Sequence, residues 1–202
     1  MKHTLKKLTA ATVASLCILS STAFAADNTN LSVTINPGSK GVDIVDGSGV
    51  TVATPGVAMS ASNFDFNTTQ HSTGTLGTAT EKVRVYNPTT SAAFTVSIAA
   101  AAPTDMWVGA NYSMDFNGAV AKLTVNPSVA TVVEKDGGST AHITKGSSTA
   151  FAQGTADSIT VISTTTDPKF TQYDITGVAL DQAVPARTNG DTYALNLTLT
   201  IV

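Results

Sequence analysis

Tyr193-Ala194-Leu195-Asn196-Leu197-Thr198-Leu199-Thr200-Ile201 alternates without a break, apolar at the odd positions and small or polar at the even ones. A period of two is the pattern of a strand with one buried face and one wetted face. The run predicts a strand over 192–202, the longest in the chain, closing the fold in a central position. Upstream, shorter runs rich in Val, Thr, Ile and Ala repeat the pattern, separated by turn residues such as Asn87-Pro88, Asn126-Pro127, Asp136-Gly137-Gly138 and Asp167-Pro168. Close spacing of short strands and turn signals predicts an all-β chain, an antiparallel β-sandwich of Greek-key, immunoglobulin-like or jelly-roll-like type. Helical periodicity is nearly absent, and the four alanines 99–102, ended by Pro103, are too few to nucleate a helix.

The expected strands are 31–35, 50–53, 57–61, 63–66, 81–86, 94–99, 112–116, 120–125, 129–133, 158–163, 171–176 and the closing run. Asn117-Gly118 predicts a two-residue type I′ hairpin, because both residues tolerate positive φ. Counting outward pairs Phe116 with Ala119, Met114 with Ala121 and Tyr112 with Leu123, all on one apolar face. The Ser/Thr-rich stretch 137–155 reads as a long, mobile connection.

The first residues have the form of a secretory signal peptide. Lys2, Lys6 and Lys7 precede an apolar region, Leu8 to Leu19, and Ala23-Phe24-Ala25 matches the small-residue cleavage pattern. Cleavage after Ala25 leaves 26–202 as a single domain, a length that can bury a substantial core. The leader takes Cys17, the only cysteine, so the exported domain is expected to hold together without disulfides. It also takes three of the 11 basic residues, leaving 8 against 14 acidic ones, a net charge of −6. That balance disfavours a nucleic-acid partner. No later stretch is long and apolar enough to span a membrane as a helix, and with Ile201-Val202 at the end of the last strand no wall-sorting tail is expected. Attachment to an extracellular cell surface is therefore expected to be non-covalent.

Chemistry-bearing residues are sparse. His71 and His142 occur in polar, turn-like contexts without a nucleophile elbow, and the acids stand singly beside turns, so no catalytic residue is expected. Asp43 and Asp46 flank a glycine turn but lack the ligand spacing of a calcium loop, and neither a metal nor a cofactor is expected. Trp107 is the sole tryptophan; with Tyr112 it forms a candidate stacking platform for sugar rings, against the plainer reading of an apolar plug at one end of the sandwich.

Three segments together resemble the WxL-type domain of bacterial surface proteins. Asn63-Phe64-Asp65-Phe66 is similar to its F-x-F element. Val83-Arg84-Val85-Tyr86-Asn87-Pro88 followed by Phe94-Thr95-Val96-Ser97 is similar to the strands around its first W-x-L. Gly177-Val178-Ala179-Leu180, Val184-Pro185 and Tyr193 to Ile201 are similar to its closing segment. Phe94 and Val96 stand where the first Trp and Leu fall, and Leu199 and Ile201 at the second pair. The resemblance implies a secreted β-domain that binds cell-wall peptidoglycan non-covalently, an adhesion role with wall polymer or other surface proteins as partners. The alternative is a cysteine-free fimbrial or fibre subunit, a homo-oligomer in which the alternation Leu31, Val33, Ile35 completes a neighbour's sheet.

Overall fold

The computed structural model describes Val33 and residues 38–89, 93–135, 138–165 and 170–202. The leader and most of the 31–35 alternation lie outside the described residues. By its internal contacts the chain divides into Met1–Asn36 and Pro37–Val202, and the second unit carries the fold. It is all-β and sandwich-like, with one 3-10 turn and no α-helix among the described residues.

Three antiparallel four-stranded sheets make the body. The first runs β1 (Gly41–Val45), β3 (Lys82–Asn87), β12 (Thr171–Thr176), β8 (Thr131–Glu134). The second runs β10 (Thr149–Ala150), β7 (Leu123–Asn126), β13 (Val178–Val184), β2 (Gln70–Leu76). The third runs β14 (Leu197–Ile201), β4 (Phe94–Ala100), β11 (Ser158–Thr164), β9 (Thr144–Lys145). A small ribbon pairs β5 (Trp107–Val108) with β6 (Ser113–Met114).

The first two sheets share their strand paths. Chain passes from β12 to β13 through Gly177 and from β7 to β8 through the 3-10 turn Pro127–Val129, and β12 and β13 keep β8 and β7 as respective neighbours. Bends of this kind let strands turn a corner between sheets. At this corner Gly177 N–H donates to Gly77 C=O at 2.7 Å. Gly77 has φ +79°, and a Cβ there would stand 2.6 Å from the Ile175 carbonyl oxygen. Only glycine combines that backbone with that approach.

A single apolar core joins the sheets. Val83, Val85, Tyr173 and Ile175 come from the first, Leu123, Val125, Val178 and Leu180 from the second, and Phe94, Val96, Ile98, Ile159, Val161 and Ile162 from the third. Consecutive Val161 and Ile162 are both buried because β11 bulges against β4 between Thr160 and Ile162. Gly146 N–H donates to the Val161 carbonyl at the bulge.

Several expectations are corrected by these pairings. The closing strand is shorter than the alternation and, among the described residues, lies at an edge, since β4 has β11 on its other side and no other described strand pairs with β14. Segments 50–53, 57–61 and 63–66 are not strands; the first and second instead cover sheet edges. Val52 N–H donates to Ile44 C=O beside β1, and Ser60 meets Thr73 on β2 with N–H to carbonyl at 2.7 Å and Oγ accepting its N–H at 2.8 Å. Covered edges resist pairing with other chains.

The Asn117-Gly118 hairpin exists in a different register. Leu123 N–H donates to Phe116 C=O, Asn117 bridges Lys122, and Gly118 N–H closes onto Ala121 C=O. Neither turn residue has positive φ, so the two-residue turn gives way to a wider one. The register moves by an even number of places, which preserves faces. Phe116, Leu123, Ala121 and Met114 are therefore still buried, while Tyr112 is exposed.

Stretch 137–155 contains β9 and β10 and is anchored by Phe151, fully buried with its ring 5.2 Å from that of Phe116. β1, β2 and β13 are not among the expected strands. Gln70-His71-Ser72-Thr73-Gly74-Thr75-Leu76 has almost no apolar alternation, and β13 places Gln182 where a hydrophobe is expected.

Candidate functional site

Two turns and one small ribbon build a depression of about 330 Å³ above the β13 end of the second sheet. Its walls include Trp107, Phe64, Tyr193, Asn189, Asp191 and Ser72.

Trp107 is positioned from below. Its indole Nε1–H donates to Gln182 Oε1 at 2.7 Å, and Gln182 is 1% exposed. The Gln182 amide in turn donates to Ala183 C=O at 2.8 Å and lies 3.4 Å from Asp115 C=O. A buried amide with both ends engaged fixes the indole's orientation, and Trp107 is half-buried against the core. It thus fills space at the end of the sandwich and also shows part of its ring to the depression.

The opposite wall comes from the 61–68 turn. Asp65 Oδ1 accepts the backbone N–H groups of Asn67 and Thr68, each at 2.7 Å, and these bonds hold its carboxyl below the usual carboxylate range. Phe64 and Phe66 flank it with ring centroids 4.8 Å apart in an edge-to-face arrangement, both largely exposed. Arg187, in a left-handed conformation at φ +65°, ties this turn to the 185–193 loop by donating from its backbone N–H to Asp65 C=O and from Nε to Phe66 C=O.

Asp191 organises the third wall. Its Oδ2 accepts the Asn111 N–H at 2.8 Å and Oδ1 its neighbour Thr192's N–H at 2.8 Å. Those two bonds, Asn111 first, hold its carboxyl below the usual carboxylate range. Gly109 allows the approach, since a Cβ there would be 2.5 Å from Asp191 Oδ2. Tyr193 donates its hydroxyl to Asn189 C=O at 2.7 Å; burial, then the charge of Asp191, raises its phenol, so it remains a neutral donor at physiological pH.

The other residues singled out from sequence go elsewhere. Phe94 and Val96 are fully buried in β4, and Leu199 and Ile201 turn half-buried side chains toward the core from β14. Of these and Tyr193, only Tyr193 reaches the depression, joined there by Phe64 of the F-x-F-like element. Tyr112, on the turn between β5 and β6, does not join Trp107 in one platform; it lines an adjoining hollow. His71 Nδ1 sits 2.8 Å from Asp181 on the second sheet, and His142 Nε2 2.7 Å from the buried Tyr173 hydroxyl, so each histidine has its own partner. Asp46 caps its own turn through the N–H groups of Ser48 and Val50, while Asp43 accepts the Thr51 hydroxyl.

Gln182, Asn189 and Asp191 were not read as site residues. Gln182 had one signal, a polar residue at a buried position of an alternating strand. Asn189 and Asp191 looked like an ordinary turn, and only the bonds across to Asn111 show otherwise.

The arrangement presents aromatic surface beside amide and hydroxyl groups, with its carboxylate already engaged by backbone. Such a concave, mixed surface suits a polyhydroxylated ligand: rings pack on apolar faces and hydroxyls meet fixed polar atoms. Comparison of the chain with protein-family models, curated proteins and solved structures finds no match.

Proposed function

We propose that the chain is an exported, non-enzymatic bacterial surface protein of WxL-like type that adheres to cell-wall glycan through the Trp107 depression. The observation that supports this reading best is the indole fixed by buried Gln182 at the wall of a cavity rich in aromatic, amide and hydroxyl groups. A ring held in place loses little entropy on stacking, which is how rigid aromatic anchors gain affinity. Export rests on the leader, and the surface location on the wall ligand.

Purified cell walls should retain residues 26–202 in a sedimentation assay. Trp107→Ala should weaken retention roughly tenfold or more, on the scale of one lost aromatic stacking contact, with thermal unfolding confirming that the variant is folded. Retention no greater than that of an unrelated β-sandwich would reject the proposal.

The β14 edge favours a second reading, assembly by strand donation. The bonds exchanged between Val202 and Thr95 set the ladder so that Leu197, Leu199 and Ile201 point their main-chain groups away from β4, and the strand carries no charge to deter pairing. Val33, at the centre of the would-be donor, is 85% exposed. Size-exclusion of residues 26–202 against 37–202 separates the readings: polymers lost on truncation favour a fibre, and identical monomers reject it.

A further inference from the structure

The Trp107 depression does not end at Tyr193. On that residue's other side lies a hollow of about 340 Å³ walled by Tyr112, Asp115, Val120 and Arg187. Met114, Thr188, Asn189 and Tyr193 line both hollows. The two hollows therefore adjoin along these residues and set out a track with an aromatic at each stage: Trp107 and Phe64, then Tyr193, then Tyr112.

The two stages differ in charge. In the first, the sole charged side chain is Asp191, whose oxygens are engaged by backbone N–H groups. In the second, Asp115 is engaged through one oxygen, its Oδ1 accepting the Asn117 N–H at 3.0 Å. The tip of Arg187 is not engaged: Nε donates to Phe66 C=O, and its two terminal nitrogens make no hydrogen bond or ion pair to the described residues. A guanidinium with a free pair of N–H groups is matched to a carboxylate, which it can bind through two parallel bonds.

We propose that the track binds a linear glycan along its length, with a neutral sugar on Trp107 and a carboxylate-bearing sugar beside Tyr112 and Arg187. This deepens the wall-glycan reading and rests on it. It requires at least two consecutive sugar units, in contrast to a pocket that caps one chain end. A glycan in which neutral sugars alternate with sugars that carry a free carboxylate, as in a wall strand stripped of its peptides, satisfies it, whereas a uniformly neutral glycan fills only the aromatic contacts.

Calorimetric titration with soluble disaccharide and tetrasaccharide fragments of wall glycan, and with a neutral β-linked N-acetylglucosamine tetramer, tests it. The acidic tetrasaccharide is expected to bind at least tenfold tighter than the disaccharide and than the neutral tetramer. Arg187→Gln should bring the acidic-to-neutral preference close to one, and Tyr112→Ala should do the same to the tetrasaccharide-to-disaccharide ratio. Tyr112 is 47% exposed, so its truncation leaves the core intact, and a thermal melt checks both variants. Equal affinity for both lengths, or a preference that survives Arg187→Gln, overturns the two-stage track while Trp107-dependent wall retention still stands. Absence of binding to every glycan together with absence of wall retention overturns both.

Discussion

Phe151→Ala is expected to destabilise the domain by about 3–5 kcal/mol, the range for removing a large aromatic from a packed interior. Phe151 is fully buried, and its edge-to-face contact with Phe116 contributes roughly 0.5–1.5 kcal/mol beyond the area it covers. The backbone agrees with the side chain: Phe151 N–H donates to Leu123 C=O at 2.9 Å, continuing the pairing of β10 with β7. The phenyl is thus the anchor that holds a Ser/Thr-rich segment against the second sheet. Urea denaturation should show a lower midpoint with the slope preserved, as for a change in stability rather than in the extent of the folded unit. Thr149→Ala, two residues away and half-buried, is the comparison and should cost under about 1 kcal/mol. If Phe151→Ala cost no more than that, the segment would not be docked as the structure has it.

That segment shows where the sequence was legible. Strands with clean alternation and a hydrophobic face, such as β3, β4, β11 and β12, were readable to within a residue or two, because burial on one side leaves a period of two. β2 left no such trace. Its inward positions are Gln70, Ser72, Gly74 and Leu76, of which only Leu76 is a hydrophobe, and Gly74 is flanked so closely by Met59 that a Cβ would lie 2.5 Å from the sulfur. A strand covered by a returning loop needs small residues, not apolar ones. The reverse error, 63–66, has the same root: Phe64 and Phe66 alternate like strand residues but stand on an Asp65-centred turn, where local side-chain bonds replace a ladder. The closing alternation predicted a strand correctly and its place incorrectly. Period two records which face is buried, and it is silent on how many neighbours a strand has.

The site was legible in its aromatics and illegible in its geometry. Trp107 and Tyr112 are five residues apart and invite pairing on paper, yet the β5–β6 ribbon sets Trp107 opposite Met114 and leaves Tyr112 on the turn. What brings the remaining walls together is long-range: Gln182 under the indole, Asp191 reaching Asn111, Arg187 holding the 61–68 turn. Each joins segments more than 70 positions apart, beyond what spacing within a motif can encode.

Arg84→Met is expected to cost about 3 kcal/mol at neutral pH, the low end of the range for breaking a buried ion pair. Arg84 faces Asp174 directly across β3 and β12, with Nε 2.7 Å from Oδ1 and Nη2 3.0 Å from Oδ2. Asp174 is 7% exposed, so loss of the guanidinium strands a carboxylate largely removed from water. Lys82, 3.6 Å from Oδ2, holds part of that charge, which is why the low end applies. The pH dependence follows from the same groups. Burial alone pushes the Asp174 carboxyl up, but the bonds and charge of Arg84, helped by Lys82 and Lys135, outweigh it and hold the carboxyl below its usual 3.8. A carboxyl depressed on folding adds stability that is fully present above the unfolded value and disappears as pH falls through the folded one. In Arg84→Met burial has lost its main opponent, so the carboxyl moves upward and ionisation ceases to favour the fold. The deficit of the variant should therefore be largest near pH 7 and shrink toward pH 3, as protonation of the unfolded chain and of the variant's upward-shifted carboxyl erodes the advantage that the ionised Asp174 gains from Arg84. Removing the stranded charge as well, in Arg84→Met with Asp174→Leu, should recover most of the loss at pH 7, since an apolar pair of similar volume avoids the desolvation that the ion pair must offset. A deficit equal at both pH values, or a double variant no better than the single one, would mean that Arg84 acts through the packing of its stem and not through the charge it neutralises.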